Sequence, residues 1–600
     1  MESMLSKGYM EKVPDGEARR DDGRLWYLPH HGVMHPQKNK IRVVYDCTAD
    51  YRGVSLNKQL LQGPDLTNSL IGVLTRFRQD QVALMSDIEG MFSQDLVPRD
   101  DRDLLRLLWW DNDDIKKPLT EYRMKVHVFG AVSSPSCANY ALKKTAGDHA
   151  GSEEIAHIIH RNFYVDDCLC STPTVSKAVQ LVKGLTETCS KGGFHLTKWV
   201  SNKKEVQEII PKDERGRNWK DLNIDGEKLP VERALGMMWS IEDDEFGYKI
   251  EMRDRPPTRR GILSTVSSVF DPLGCVSAVV LPAKQLLQAA CRMKLGWDEE
   301  IPPDLSKKWQ NWQLELPRLA EFKMARCLKP DGLEEPKSVT LHHFADASEL
   351  CYGTISFLRL VNDGGEVKCS FLMSKSRVAP LKQVTIPRME LTAATVAVRV
   401  DHMIRKDLEI EVDDTFFWTN SMSVLRYINS RTSRFKTFVA KRLAIILDGS
   451  CPTQWRHIES ALNPADVCSR GRRVEQFLQM DDWKNGPGFL LQPEDEWPTT
   501  TELGAVEVAE DLEVKKNVLA CTIKPSEMEK QGIDRKIEYY SDWVRLKKAV
   551  CWLLRFRRWL KGQPESQKAE QTLQGVLTLE ELQAAEKKNV AGCSKPSICR

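Results

Sequence analysis

The chain has 600 residues, which at roughly 100–200 residues per domain implies several domains and excludes a single small module. Apolar residues make up 41% and charged residues 29%, a balance that excludes bulk disorder. Lys and Arg total 87 against 85 Asp and Glu, a formal charge of only +2, so a nucleic-acid partner has to be argued from local sites rather than a global basic field.

The N-terminal MESMLSKGYMEKVPDGEARRDDG lacks the apolar run of a secretory signal. The longest apolar candidate, Val276 to Leu287, is broken by Pro282 and Lys284, reads as a core helix and falls short of the ~20 residues a membrane span needs. A soluble cytoplasmic or nuclear chain with no membrane partner is expected. The 16 Cys are scattered without a double CxxC ladder, which suits reduced thiols. Up to about residue 205, short β-like runs alternate with helical ones. A charged stretch follows at 205–225, and a mostly helical pattern runs to about 335. In 336–475 the strand runs SVTLHHFADAS, CYGTISFLRL and EVKCSFLMS come first. A helix led by Pro387, the strand DTFFWTN and further helices follow, which predicts a mixed α/β domain. The tail, 476–600, is acidic and Pro-containing near QPEDEWPTTTE and later offers the amphipathic helix WVRLKKAVCWLLRFRRWLKG. Its Trp552, Arg555, Arg557, Arg558 and Trp559 are candidates to touch nucleic acid or a partner, although a solvated basic face is the commoner meaning of such a pattern.

Two sets of acids stand out. QVALMSDIEGMFSQ reads as a strand from Val82 with Asp87 near its end, and HIIHRNFYVDDCLCS as two short strands with Asp166–Asp167 at or beside the turn. Each alone is ordinary turn or strand-end chemistry. Together they offer hard oxygen ligands able to hold two Mg²⁺ ions that clamp attacking and leaving oxygens. In the second set, Asp346 ends the strand of FADAS and Glu390 falls in the first turn of the helix begun by Pro387. In NPADVCSRG, Asn463 can cap, Pro464 can take N1 and Asp466 follows at N3. First-turn acids usually serve the helix dipole, so singly they say little.

FYVDDCLCS resembles the catalytic YxDD signature of reverse transcriptases. Its companions occur in the order of that family: KIRVVYDCTADYRGVSLN, SDIEGMFSQ, FGAVSSPSCAN, GGFHLTKW and ALGMMWS. With WYLPHHGV, RFR and SSVFDPLG, nearly the whole chain is similar to the Pao/BEL class of long-terminal-repeat retrotransposon polyproteins. The resemblance implies an α+β right-hand polymerase, with fingers and palm in 1–205 and primer grip, thumb and connection in 206–335. An α/β ribonuclease H-like domain is implied for 336–475, and a linker and mostly helical region for 476–600. The implied activity is RNA-directed DNA polymerisation on an RNA or DNA template with primer, using deoxynucleoside triphosphates. By position, Asp87 and Asp166 would bind two Mg²⁺ ions, with Asp167 completing the cluster. Arg42, assisted by Lys40, would contact the triphosphate. Phe92 would exclude a ribose 2′-hydroxyl, and Phe129–Gly130 would form the pocket floor. Lys198 would give a proton to pyrophosphate, and Leu235–Gly236 with Trp239 would form the primer grip.

In the ribonuclease H-like domain the resemblance makes Asp346, Glu390 and Asp466 metal ligands. The family reads WTDS where this chain has Trp418-Thr419-Asn420-Ser421. Asn keeps a carbonyl oxygen and loses a negative charge, so hybrid cleavage is expected to be severely reduced while the domain still folds. No DTG or DSG triplet is present, and the central segment, similar to one labelled a Pao-type peptidase, shows no nucleophile or carboxylate pair. A peptidase is therefore the weakest reading. A catalytically inactive nucleic-acid-binding remnant is the other alternative. The chain carries neither a protease before the polymerase nor an HHCC module or DDE core after it, and less fingers sequence upstream of Gly8 than related chains, so a fragment or remnant of an element is expected.

Overall fold

Short runs rich in Val, Ile, Leu and aromatic residues become strands where the sequence predicts them, and Ser or Thr side chains cap several of the helices that brace them. The computed structural model describes residues 1–18, 22–34, 41–216, 219–221, 235–250, 252, 254–330, 332–333, 335–430, 433–499, 511–515, 543–561 and 577–592. They fall into two units, Met1–Lys515 and Lys516–Arg600.

The first 205 residues contain β1 (Met10–Lys12), β2 (His30–Met34), β3 (Ile41–Tyr45), α1 (Leu70–Phe77), β4 (Val82–Ile88), β5 (Arg106–Trp110) and β6 (Leu119–Met124). They continue with α2 (Ser134–His149), α3 (Glu153–Arg161), β7 (Phe163–Tyr164), β8 (Asp167–Thr172), α4 (Val175–Lys191) and β9 (Leu196–Ser201). Ser69, Ser152 and Thr174 cap α1, α3 and α4 by accepting a backbone N–H of the first turn. β2 and β3 form a ribbon, β1-β6-β5 a small sheet, and β7-β8-β4-β9 the antiparallel sheet that carries Asp87 and Asp167. Along β4 the pleat sends Leu84 and Ile88 to a core shared with α2–α4, and Ala83 and Met85 to a core shared with α1. Asp87 lies on the second face, where that core ends.

The next segment builds β10 (Trp219–Asp221), β11 (Leu235–Ser240), β12 (Glu245–Ile250), α5 (Arg259–Ser268), β13 (Val269–Phe270), α6 (Ser277–Arg292), α7 (Pro303–Glu315) and β14 (Met324–Ala325). The strands order β10-β11-β12-β14, with β13 parallel to β11. Pro282 sits inside α6 and lacks the N–H that would pair with the Ala278 carbonyl. That carbonyl instead accepts the backbone N–H of Arg472 at 3.1 Å, so a helix defect becomes a tie to a distant segment.

The expected mixed α/β domain follows: β15 (Ser338–Ala347), β16 (Cys351–Val361), β17 (Val367–Val378), α8 (Ile386–Asp407), β18 (Asp414–Thr419), α9 (Met422–Asn429), α10 (Thr437–Gly449), β19 (Trp455–His457) and α11 (Ala465–Arg470). The sheet runs β17-β16-β15-β18-β19, antiparallel across the first three strands and parallel from β15 to β19. α8 and α10 cover one face through Leu391, Ala394 and Val439. On the other face, one apolar core runs from Val73 and Phe77 of α1 through Trp239 and Trp309 to Leu341, Phe371, Trp483, Leu490 and Trp497. The limits at 335 and 475 drawn from the sequence are therefore not packing boundaries. Residues 476–499 and 511–515, assigned to the tail, belong to the first unit: Trp483 donates to the Cys275 carbonyl at 2.7 Å, and Arg388 pairs with Glu513 at 2.6 Å.

In the second unit α12 (Trp543–Lys561) packs on α13 (Leu579–Gly592). Arg555, a candidate for a ligand contact or a solvated basic face, is instead buried and pairs with Glu581 at 2.6 Å, drawing that carboxyl down to about 2. Trp552 and Arg557 are exposed, and the side chains of Arg558 and Trp559 lie outside the described residues. Among the described residues, no helix is long and apolar enough to cross a membrane.

Candidate functional site

β4 and β8 pair antiparallel with Asp87 directly opposite Asp167. The Ile88 N–H donates to the Asp166 carbonyl at 2.8 Å, so the ladder bonds flank the two acids and make them a non-hydrogen-bonded pair. In such a pair the Cα atoms approach to about 4.5 Å and both side chains rise from the same face. Asp166 occupies the turn between β7 and β8 together with Val165, whose φ of +55° is unusual for a β-branched residue. The sequence named Asp166 as the partner of Asp87 and Asp167 as an accessory; the strand register sets Asp167 opposite Asp87, with Asp166 beside it at the hairpin tip. On the other flank the β4–β9 register shifts between Met85 and Asp87, and Lys198 adopts φ +55°. Its Nζ lies 2.8 Å from Asp87 Oδ2. Just past the end of β4, Glu89 accepts from Lys7 at 2.9 Å and meets His195 Nδ1 at 3.2 Å. The Lys7 hydrogen bond, then that of His195, holds the Glu89 carboxyl low.

No three His, Cys, Asp or Glu among the described residues form a ready-made metal cage. The donor chemistry of this cluster still suits Mg²⁺: two facing carboxylates with a third adjacent repel one another, and a cation, here the Lys198 ammonium, already sits against Asp87.

Of the other expected residues, Phe129 and Gly130 lie near the end of β3, with Phe92 against Phe129. The rings of Phe92 and Phe129 lie 5.5 Å apart. Gly130 has φ +107°, and a Cβ there would stand 2.8 Å from the Tyr45 carbonyl oxygen, so only glycine lets this loop close on β3. Arg42 is exposed on β3 and lines a cavity of about 640 Å³ with His30, His31 and Trp109. Lys40 lies outside the described residues. Leu235 and Gly236 open β11 opposite Ile250 and Lys249, and the Leu235 side chain also lies outside the described set. Trp239 is fully buried, packs edge-on against Phe77 at 5.0 Å and donates to Asp244 Oδ1 at 2.9 Å. It is a core residue that holds the hairpin, not a primer contact.

The second acid set converges on the end of β15. Parallel pairing sets Ala345 beside Thr419, which brings the following residues, Asp346 and Asn420, together. Asn420 Nδ2 donates to Asp346 Oδ1 at 2.9 Å and to Ser460 Oγ at 2.8 Å. Ser469 donates to the other Asp346 oxygen, and Ser421 to Glu390. Asp466 is paired with Arg470 and with Arg472, the latter at 3.2 Å. Two placements differ slightly from expectation. Glu390 is in the second turn of α8, because that helix begins at Ile386. α11 begins at Ala465 with Pro464 as N-cap, so Asp466 is its second residue, while Asn463 accepts the Ala465 N–H at 3.0 Å. Burial raises the Asp346 carboxyl, against hydrogen bonds from Ser469 and Asn420; burial also raises Glu390, and the Asp346 charge adds to it. Every carboxylate here is occupied by an internal donor and the fourth position is neutral, so this set does not fit a metal pair. Ser421, Ser469, Arg470 and Arg472 were not anticipated. The signal was present for two of them: Ser469 and Arg470 follow Asp466 at helical i+3 and i+4 spacing.

One further array has the residue types of a hydrolase triad. Ser356 Oγ lies 2.7 Å from His343 Nδ1, and His343 Nε2 lies 3.1 Å from Asp401 Oδ1. Ser356 and His343 have 0% exposure, so no substrate reaches them; the array is a satisfied core network anchored further by Arg405.

Residues 258–421 match the family described as Pao retrotransposon-like RNaseH-like domain, a segment that crosses residue 335 just as the core does. No curated protein matches the chain. Among solved structures the chain is similar to a foamy viral protease-reverse transcriptase dRH in complex with double-stranded DNA, at 14% identity and TM-score 0.48, covering 77% of this chain and 68% of that one. It is also similar to the foamy viral protease-reverse transcriptase with an RNA/DNA hybrid, at 14% identity and TM-score 0.46, covering 77% of this chain and 53% of that chain. A third likeness, to the same viral protein with double-stranded DNA, has 14% identity and TM-score 0.46 and covers 76% and 81%.

Proposed function

We propose, for a chain whose residues 258–421 belong to the Pao retrotransposon-like family, that it is the RNA-directed DNA polymerase of a retrotransposon. It would extend a primer 3′-hydroxyl on an RNA or DNA template with deoxynucleoside triphosphates. The observation that carries this reading is the in-register pair Asp87–Asp167 with Asp166 beside it at the hairpin turn. Asp87, Asp166 and Asp167 are the residues that would hold Mg²⁺, which when bound lowers the hydroxyl pKa and neutralises the leaving pyrophosphate.

The remaining roles belong to the chain's own side chains. The Phe92 and Phe129 rings and the Gly130 backbone would wall the sugar and base, with Phe92 sterically refusing a 2′-hydroxyl. Arg42, on an exposed ribbon, would meet the triphosphate. Lys198, paired with Asp87, would present its Nζ proton towards the departing pyrophosphate. Trp239 would act indirectly, fixing β11–β12 from within the core. The ribonuclease H-like domain would keep its fold with severely reduced hybrid cleavage, because Asn420 lacks the charge of an aspartate.

The test is extension of oligo(dT) on poly(rA) with Mg²⁺. The parent is expected to extend, and Asp87→Asn or Asp167→Asn to lose at least about 100-fold while still binding primer–template, since each removes a charge that no other group replaces. Binding without extension by the parent favours a non-catalytic nucleic-acid-binding remnant.

A further inference from the structure

The second acid set has lost the means to take a divalent cation and has gained something in return. Asn420 does not merely stand in for a weaker ligand. Its amide nitrogen is a double donor, reaching Asp346 at 2.9 Å and Ser460 at 2.8 Å. An aspartate at this position has no proton to offer either group and would set a second negative charge against Asp346. The amide oxygen Oδ1 is buried without a hydrogen-bond partner, so the two donor bonds alone set the orientation of the side chain. To ligate a cation, Asn420 would have to turn that oxygen inwards and surrender both bonds.

The neighbours are committed in the same sense. Ser469 donates to Asp346, Ser421 donates to Glu390, and Arg470 with Arg472 neutralises Asp466. Arg472 is itself held by its backbone bond to Ala278, and Ser460 opens the 3-10 turn Ser460–Leu462 before α11. The cluster therefore links β15, the end of β18, α8, the 3-10 turn Ser460–Leu462 and α11 through protein donors.

We propose that this cluster is a cation-independent structural centre, in which the Asn420 amide does the cross-linking that a bound divalent ion would otherwise do. The inference deepens the reading of a ribonuclease H-like domain with reduced cleavage, and it concerns a site separate from Asp87 and Asp167.

Localised cleavage with Fe²⁺ tests it on the full chain. Fe²⁺ replaces Mg²⁺ at oxygen sites, and with ascorbate and peroxide it cuts the backbone beside the bound ion. The parent is expected to show no cuts around residues 346, 390, 420 and 466, and Asn420→Asp to acquire them. Cuts there in the parent overturn the proposal, and so does failure of a folded Asn420→Asp to gain them. Cuts around residues 87 and 167 in the same sample report on the other acid set, so the two readings fail separately. A second variant guards against misfolding of the first. Asn420→Ala should melt several degrees below the parent equally in Mg²⁺ and in chelator, whereas equal melting of parent and Asn420→Ala would overturn the cross-linking role.

Discussion

Arg326 and Asp244 meet edge to edge, with Nε–Oδ1 at 2.6 Å and Nη2–Oδ2 at 2.7 Å, and the guanidinium is fully buried. The same guanidinium donates to the carbonyls of Phe77, Asp80 and Gln81, the turn from which β4 departs towards Asp87. It therefore fixes the start of the acid-bearing strand to the β11–β12 hairpin. Arg326→Ala removes a buried charge partner from Asp244, which keeps its Trp239 bond, and takes a donor from the Phe77, Asp80 and Gln81 carbonyls, of which Gln81 keeps Asn202. It is expected to cost about 3–5 kcal/mol. Arg326→Lys should recover only part of that, because an ammonium cannot reproduce the two-pronged geometry. Denaturant unfolding of the two variants measures both; a cost below 1 kcal/mol for the alanine would show that the junction is not anchored there.

Lys198 compensates the repulsion of two carboxylates placed opposite each other. Because its side chain is half exposed, the net effect is modest, and Lys198→Met is expected to destabilise by less than about 1 kcal/mol in chelator. Adding Asp167→Asn should erase that loss, since the second negative charge is then gone. Thermal melts of the single and double variants decide the point, and an additive double variant would contradict it.

Gly471 lies between Arg470 and Arg472 at φ +78°, and a Cβ there would stand 3.0 Å from the Pro282 ring carbons and 3.2 Å from the Ala278 carbonyl oxygen. Gly471→Ala meets both a left-handed backbone and a rigid ring, so it is expected to destabilise by more than about 1 kcal/mol. The Arg472 N–H bond to Ala278 should weaken with it. Hydrogen exchange at the Arg472 amide reads this directly: faster exchange is expected, and unchanged exchange with unchanged melting would refute the contact.

Burial lifts the Asp95 carboxyl from 3.8 to about 6, and its Oδ2 has no hydrogen-bond partner. A carboxyl whose pKa is raised on folding contributes stability that is complete below the unfolded value and disappears as pH rises through the folded one. The parent should therefore lose stability between about pH 4 and pH 6 through this group. Asp95→Asn, which cannot ionise, should flatten that limb and melt higher than the parent at pH 8. Melting curves across this range are the check, and a parallel decline in both proteins would assign the pH dependence elsewhere.

The strands, the acid-bearing turn and the order of the motifs were legible because they depend on local pattern: the short apolar run that ends at an acid in VALMSDI, turn chemistry in YVDD, and four strand runs in the mixed domain. What stayed hidden depends on contacts between residues far apart in the chain. Nothing near Arg326 says that an arginine will be buried, since its partners come from 77–81 and 244. Trp239 looks like a binding residue until Phe77 is found against it. The run QPEDEWPTTTE is so polar that the burial of Trp497 within it goes unnoticed, and with it the true extent of the domain. The same holds for Asp167. Sequence lets either acid of the pair face Asp87, and only the strand register separates them.

The unbroken core from Val73 to Trp497 has a consequence for the history of such a chain. Splitting it near residue 335 would lay bare a slab of tryptophan and phenylalanine on each piece, so neither half can be discarded without spoiling the other. Selection acting on one half alone would preserve both, and a half that had stopped doing chemistry would be carried along as the scaffold its neighbour leans on.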